Sequence, residues 1–283
     1  MPSPEEFDVP VRGGSLRVCR WPGEGPVVIA AHGITANAMA FAPLAEALAG
    51  RVQLVAPDLR GRAHSGGLPG PYGMMAHADD LIAVADHLGL DRVPLAGHSM
   101  GGFVVAATAA AHPGRVSEVL LIDGGVAFPV PPDVDVDAVL TAVIGPAVQR
   151  LSMTFADERA YLDFFHAHPA LRDDWSPAVE AYVRRDLTGS APSMRSSCSI
   201  DAVRADGTDT LIDRATVDAV NRLRCPARLM WAPRGLQNQT PGLYDEPSVP
   251  FAAELVPDVN HYTILFDDSA VAAVADRVVE LTR

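Results

Sequence analysis

Gly97-His98-Ser99-Met100-Gly101 is the pentapeptide of this 283-residue chain with the plainest chemical potential, a G-x-S-x-G pattern. An apolar run, Val93 to Ala96, precedes it, and a helical pattern rich in small residues, Ser99 to Ala111, follows. That context predicts a tight strand-to-helix turn with Ser99 at its tip. Such a turn strains its central residue and tolerates only small neighbours. It pushes the hydroxyl out above the sheet, at a helix N-terminus whose partial positive charge favours a developing oxyanion. The bland alternative is a glycine-rich turn that happens to hold a serine, and the flanking strand and helix argue against it. A serine hydroxyl is a weak nucleophile and needs a base within hydrogen-bond reach. Histidine suits, with a reference pKa of ~6.5. Of the nine histidines, His261 follows the last strand pattern and precedes the terminal helix. His87, His112, His166 and His168 have no such placement.

The elements that must hold these residues alternate along the chain. Phe7 to Val11 and Leu16 to Trp21 flank Gly13-Gly14 and predict a hairpin. Val27 to Ala31 and Val52 to Ala56 are continuous apolar runs, as strands buried on both faces require. Ala38 to Leu48 and Met75 to Leu88 have helical composition. Val119 to Ile122, Ala227 to Trp231 and Phe251 to Val256 supply further strands, and Asp268 to Leu281 a terminal helix. This alternation predicts an α/β fold, a mostly parallel sheet with helices on both faces. The rhythm breaks between Val126 and Leu223. Proline-rich Phe128 to Pro132 leads there into helical patterns at Val136 to Met153, Glu158 to His166 and Ala178 to Arg185. A long insertion between two strands is usually functional rather than linker. Its aromatic residues Phe155, Tyr161, Phe164, Phe165 and Trp175 are expected as its own core, with lining of an acyl pocket as the alternative.

Four landmarks occur in order: His32-Gly33-Ile34, Pro57-Asp58-Leu59-Arg60-Gly61, the pentapeptide extended by Gly102, and Asn260-His261-Tyr262. Together they resemble the α/β-hydrolase fold of esterases, lipases and related serine hydrolases, over about Val27 to Leu281. The resemblance implies a core of residues 1–125 and 224–283 with a helical cap, 126–223, inserted between two strands. It implies Ser99 as nucleophile, His261 as base, and an oxyanion hole built from the backbone N–H groups of Ile34 and Met100, to which Thr35 adds a hydroxyl. His98 is expected to point away from Ser99 and to pack behind it, and His32 to hold the oxyanion loop by a hydrogen bond. In one position the chain departs from that pattern. The usual acid follows the strand at Ala227 to Trp231, but here the stretch reads Ala232-Pro233-Arg234-Gly235-Leu236 without a carboxylate. Asp123, at the end of the strand before the insertion, is the expected replacement, as in certain dehalogenases of the fold. Its alternative role is to cap the turn at Gly124-Gly125. Asp245 and Glu246 are rival acids, and Asp258 a weaker one.

Composition narrows the partners. The formal net charge is −13 and no basic run occurs; all 22 basic residues are arginine. Such a chain is expected neither to bind nucleic acid nor to sit on an anionic membrane. Three widely spaced cysteines, Cys19, Cys198 and Cys225, indicate neither a disulfide framework nor a zinc site. The N-terminus carries Glu5 and Glu6 and lacks an apolar run, so a cytoplasmic monomer or homodimer is expected. No cofactor or metal is expected. The chemistry read from these features is hydrolysis of a carboxylic ester, lactone or thioester of a small molecule through an acyl-enzyme. Perhydrolysis, carbon–carbon bond hydrolysis and a ligand receptor with little turnover are the alternatives. Ser99 argues against epoxide hydrolysis and haloalkane dehalogenation, which use an aspartate nucleophile on this fold.

Overall fold

A computed structural model describes residues 3–128, 130 and 135–283. Of the proline-rich stretch named above, Pro129, Pro131 and Pro132 lie outside the described residues. The chain opens with an antiparallel hairpin, β1 (Glu5–Val11) and β2 (Gly14–Trp21). Six parallel strands follow: β3 (Val27–Ala31), β4 (Gln53–Pro57), β5 (Val93–His98), β6 (Val116–Ile122), β9 (Ala227–Trp231) and β10 (Ala252–Leu255). The sheet order is β1-β2-β4-β3-β5-β6-β9-β10, with β2 antiparallel to β4 and every pair from β4 to β10 parallel.

Two apolar cores sandwich this sheet because side chains of a strand alternate between faces. Val28 and Ala30 of β3 join one core, with α1 (Ala42–Leu48) and α9 (Asp268–Glu280) over it. Ile29 and Ala31 join the other, covered by α2 (Met74–His87) and α3 (Met100–Ala111). Every residue of β5 is buried, as expected of a central parallel strand covered on both sides.

Between β6 and β9 the chain leaves the sheet. It forms α4 (Val136–Leu151), α5 (Glu158–His166), α6 (Pro177–Arg185), a two-stranded hairpin of β7 (Leu187–Ser190) and β8 (Ser193–Ser196), α7 (Ile200–Ile212) and the single turn α8 (Arg214–Val217). The three helices expected there are present, and the hairpin, α7 and α8 are additions. The strands are only four residues long and carry no alternation, and α7 interrupts its helical pattern with Gly207, Thr208 and Thr210. Neither leaves a periodic signal in the sequence. The aromatic residues of the insertion pack on one another: Phe155 meets Tyr161 and Phe164 edge-on, and Phe165 meets Tyr161 and Phe164. Trp175 stacks on His166. None of these five lines the hollows beside Ser99, whereas Tyr182 and Phe128 of the same segment do. Among the described residues, no helix is long and apolar enough to cross a membrane.

Candidate active site

Ser99 sits between β5 and α3 with φ 56° and ψ −124°, backbone angles that a non-glycine residue rarely adopts. Close packing around the turn enforces them. A Cβ on Gly97 would fall 2.1 Å from the carbonyl oxygen of Gly101, and one on Gly101 would fall 1.9 Å from that of Ala31. The two flanking glycines are therefore demanded by space. Strain of this kind costs about 1–3 kcal/mol and persists only where surroundings over-determine it.

Sheet register brings the next residue alongside. His98 pairs with Ile122, so Ser99 and Asp123 leave adjacent strand ends together. Asp123, itself at φ 42°, is fully buried. Its backbone N–H donates to Met230 O over 2.7 Å, and its Oδ1 accepts the N–H of Ala232 over 3.0 Å. Its Oδ2 lies 2.7 Å from His261 Nδ1, and His261 Nε2 lies 2.9 Å from Ser99 Oγ. With the carboxylate accepting, Nδ1 carries the proton and Nε2 is left to accept from the serine hydroxyl. A single hydrogen-bonded path thus runs from carboxylate to hydroxyl, almost wholly buried.

The rival carboxylates stand elsewhere. Asp245, Glu246 and Asp258 are exposed. At the position where the fold usually carries its acid, a Cβ on Gly235 would fall 2.1 Å from Gln239 Nε2, and Gly235 donates to Gln239 O over 2.9 Å. The loop is closed on itself; the carbonyl of Met230 in β9 and the N–H of Ala232 just beyond it are what this strand end gives to Asp123.

The histidine loop is held by Asn260, part of the landmark tripeptide but given no role of its own by the sequence. Its Oδ1 accepts from the N–H groups of Tyr262 and Thr263, each over 2.9 Å, and its Nδ2 donates to Ala170 O over 3.0 Å. An asparagine beside a histidine is the sort of side chain that caps its own turn, which is the signal that was there to be used. His98 points away from Ser99 and its Nε2 donates to His261 O over 2.8 Å, with the two rings 4.8 Å apart. Burial, with His261 nearby, holds the His98 ring well below the ordinary histidine range, so it stays neutral.

The loop after β3 lies against the nucleophile. A Cβ on Gly33 would be 3.2 Å from Ser99 Cβ and 3.5 Å from its Oγ. Three successive carbonyls of this loop are tied back. His32 Nδ1 donates to Gly33 O over 2.8 Å, Arg62 Nε to Ile34 O over 2.9 Å, and Arg150 Nη2 to Thr35 O over 3.4 Å. His32 Nε2 accepts the N–H of Leu59 over 2.9 Å. That bond needs a neutral ring, and burial holds His32 down to about 3. Met100 is the first residue of α3, so its N–H has no intrahelical partner. Thr35 lines the small hollow by Ser99; its carbonyl, accepting from Arg150, is the part with a defined partner.

Arg62 and Arg150 are both buried, and each pairs with a buried acid from the insertion: Arg62 with Asp206 of α7, and Arg150 with Asp186. Asp206 also meets His77 Nε2 over 2.9 Å. Burial alone would raise the Asp206 pKa, but His77 and Arg62 outweigh it and hold the carboxyl below its usual range. Neither cluster was visible in the sequence. Among the described residues, no group of three or more His, Cys, Asp or Glu is disposed to hold a metal ion.

Comparison with known proteins agrees with this architecture. A family model described as alpha/beta hydrolase fold matches residues 26–231. A putative carbamate hydrolase, RutD, of Caulobacter segnis is 35% identical over 117 residues, covering 40% of this chain and 44% of that protein. N-formylmaleamate deformylase of Pseudomonas putida is 32% identical over 179 residues, covering 59% of this chain and 63% of that one. The chain thus spans less than two thirds of the length of these curated relatives. The crystal structure of E-2-(acetamidomethylene)succinate hydrolase superposes with a TM-score of 0.78 at 21% identity, covering 98% of both chains.

Proposed function

The chain belongs to the alpha/beta-hydrolase-fold family, and from that premise we propose that it is a serine hydrolase acting on a carboxylic ester or a related acyl compound. Ser99 is the nucleophile, His261 the general base and acid, and Asp123 the residue that orients the imidazole. One observation carries the reading: the unbroken path from Asp123 Oδ2 through His261 to Ser99 Oγ, over 2.7 Å and 2.9 Å. A serine aligned on a base that is itself oriented by a buried acid is the arrangement that activates a hydroxyl.

The steps follow from the donors and acceptors. Ser99 Oγ adds to the acyl carbonyl while its proton passes to His261 Nε2. Charge develops on the carbonyl oxygen, where the N–H groups of Ile34 and Met100 receive it, assisted by the N-terminal end of α3. His261 returns the proton to the departing alcohol, leaving an acyl ester on Ser99. Water then enters and adds to the acyl carbonyl as its proton passes to His261, which returns it to Ser99 Oγ as the bond to the acyl group breaks and the acid leaves. Asp123 stays ionised throughout and stabilises the imidazolium. The names of the relatives, a carbamate hydrolase and a deformylase, extend the class to acyl–nitrogen bonds, for which the same proton return to the leaving atom is required. Residues 126–223 act in this reading as the cap over the acyl site. The buried carboxylate on His261 supports turnover over the receptor reading.

The test is a fluorophosphonate label together with turnover of short-chain esters. Labelling of Ser99, abolished in Ser99→Ala, and many turnovers per molecule are expected. Tight ligand binding with neither would make the protein a receptor.

A further inference from the structure

Ser99 stands between two hollows of very different size. Towards His98, His261, Tyr182 and Phe266 there is room of about 30 Å³. Towards Met100, Phe103, Phe128, Leu140 and Tyr244 there is a chamber of about 350 Å³. Ile34, Ser99, Ile144 and Leu236 border both. One water needs about 10–15 Å³, so the smaller hollow takes a group of only two or three non-hydrogen atoms.

The chamber is apolar. Among the described residues its lining contains no Arg, His, Asp or Glu. Apart from Ser99 its two polar side chains are already engaged: Tyr244 Oη donates to Val126 O over 3.0 Å and accepts from Val126 N–H over 3.2 Å, and Thr210 Oγ1 donates to Gly207 O over 2.8 Å. A carboxylate entering this space would lose its hydration with no cation to meet it, which is strongly unfavourable.

Proton traffic fixes which half of a substrate goes where. The leaving atom must receive its proton from His261 Nε2. His261 borders the small hollow and not the chamber. We propose that this site takes an ester or amide of an uncharged, apolar carboxylic acid with a methoxy- to ethoxy-sized leaving group, the acyl chain lying in the chamber and the leaving group beside His261. The proposal rests on Ser99 being the nucleophile.

The experiment measures kcat/KM by pH-stat for two ester series. Along methyl acetate, butyrate and hexanoate, about fourfold gain per added methylene is expected while the chain is being buried, from about 0.8 kcal/mol per CH₂. Along methyl, ethyl, butyl and hexyl hexanoate, activity is expected to fall by tenfold or more beyond ethyl. Monomethyl adipate, the charged counterpart of methyl hexanoate, is expected to be at least a hundredfold poorer. Val143→Trp, at an exposed position bordering the chamber, is expected to move the optimum to shorter acyl chains. Gains with alcohol length and none with acyl length would reverse the assignment, and adipate equal to hexanoate would overturn the apolar chamber. The fluorophosphonate label separates the two levels. If Ser99 labels and the series are flat, the partition alone is wrong; if Ser99 does not label, the nucleophile is wrong.

Discussion

Asparagine at position 123 would keep the shape of the side chain and change only what it donates. In the structure Oδ1 accepts the N–H of Ala232 and Oδ2 accepts from His261 Nδ1. An asparagine has one acceptor oxygen and two amide donors. The Ala232 N–H is fixed in the backbone at the end of β9, so it takes the amide oxygen. The NH₂ group then faces His261 Nδ1, which must become the unprotonated nitrogen. The proton moves to Nε2, which now donates to Ser99 Oγ and cannot accept its proton. The base is lost through the wrong tautomer while every atom stays near its place. The same substitution in a serine protease triad lowers kcat about 10⁴-fold, or about 5.4 kcal/mol, and that loss is expected here. Because no buried donor or acceptor loses its partner, unfolding should shift by less than about 1 kcal/mol, about 2–4 °C in Tm. The assay is kcat on the best short-chain ester, with a melting curve on the same preparation. A folded Asp123→Asn enzyme within tenfold of the parent rate would show that His261 is oriented by another group, and the argument from Ala232 would fail.

Two further outcomes follow from the buried groups around the site. Arg62→Met leaves Asp206 fully buried with His77 as its remaining side-chain partner and frees Ile34 O; a loss of about 3–5 kcal/mol in urea unfolding is expected, relieved in part by adding Asp206→Asn. A single variant as stable as the parent would mean that the pair contributes nothing. The His32 ring is neutral in the folded protein down to about 3, whereas in the unfolded chain it takes up a proton near ~6.5. Acid therefore favours the unfolded state across that window, and stability is lost as pH falls. From pH 7 to pH 5 this one ring accounts for about 2 kcal/mol. Denaturation of His32→Asn at both pH values should show a dependence smaller by about that amount; an unchanged dependence would mean the ring is not held neutral.

What could be read from the sequence was what is encoded within a few residues. Gly97 and Gly101 bracket Ser99 because a Cβ at either would strike backbone, and so the turn announces itself as a spacing. The strand from Val27 to Ala31 is an unbroken apolar run, that from Ala227 to Trp231 is broken only by Arg228, and both appear with those bounds. Asp123 was legible through a local absence, the missing carboxylate near Gly235. The groups behind the site were not legible, because nothing local marks them. His77 and Asp206 are separated by 129 residues, and Arg150 and Asp186 lie on different elements of the insertion. An arginine written in a loop looks the same whether it ends in water or under a helix. Only the packing of α7 against α2, α3 and α4 decides that Arg62 and Arg150 end on the carbonyls of Ile34 and Thr35.

These contacts also constrain how a substrate gets in. Lifting the inserted segment as one body would separate Arg62 from Asp206 and Arg185 from Asp58, both pairs largely or wholly buried. It would also break the bonds from the N–H groups of Gly73 and Met74 to Asp206 and Asp209, over 2.6 Å and 2.8 Å. Parting a buried pair costs about 3–5 kcal/mol for each when the charges are left uncompensated. Water entering the opened gap offsets some of this, yet a state with both pairs parted lies several kcal/mol above the closed one. At about 5.5 kcal/mol its population is about one in 10⁴. Native-state hydrogen exchange reads this directly, since the amides of Gly73 and Met74 exchange only when the segment leaves them. Protection of at least about 10⁴ is expected at both. Rapid exchange there in an otherwise protected molecule would show that the segment lifts freely, and that the buried pairs do not hold it to the sheet.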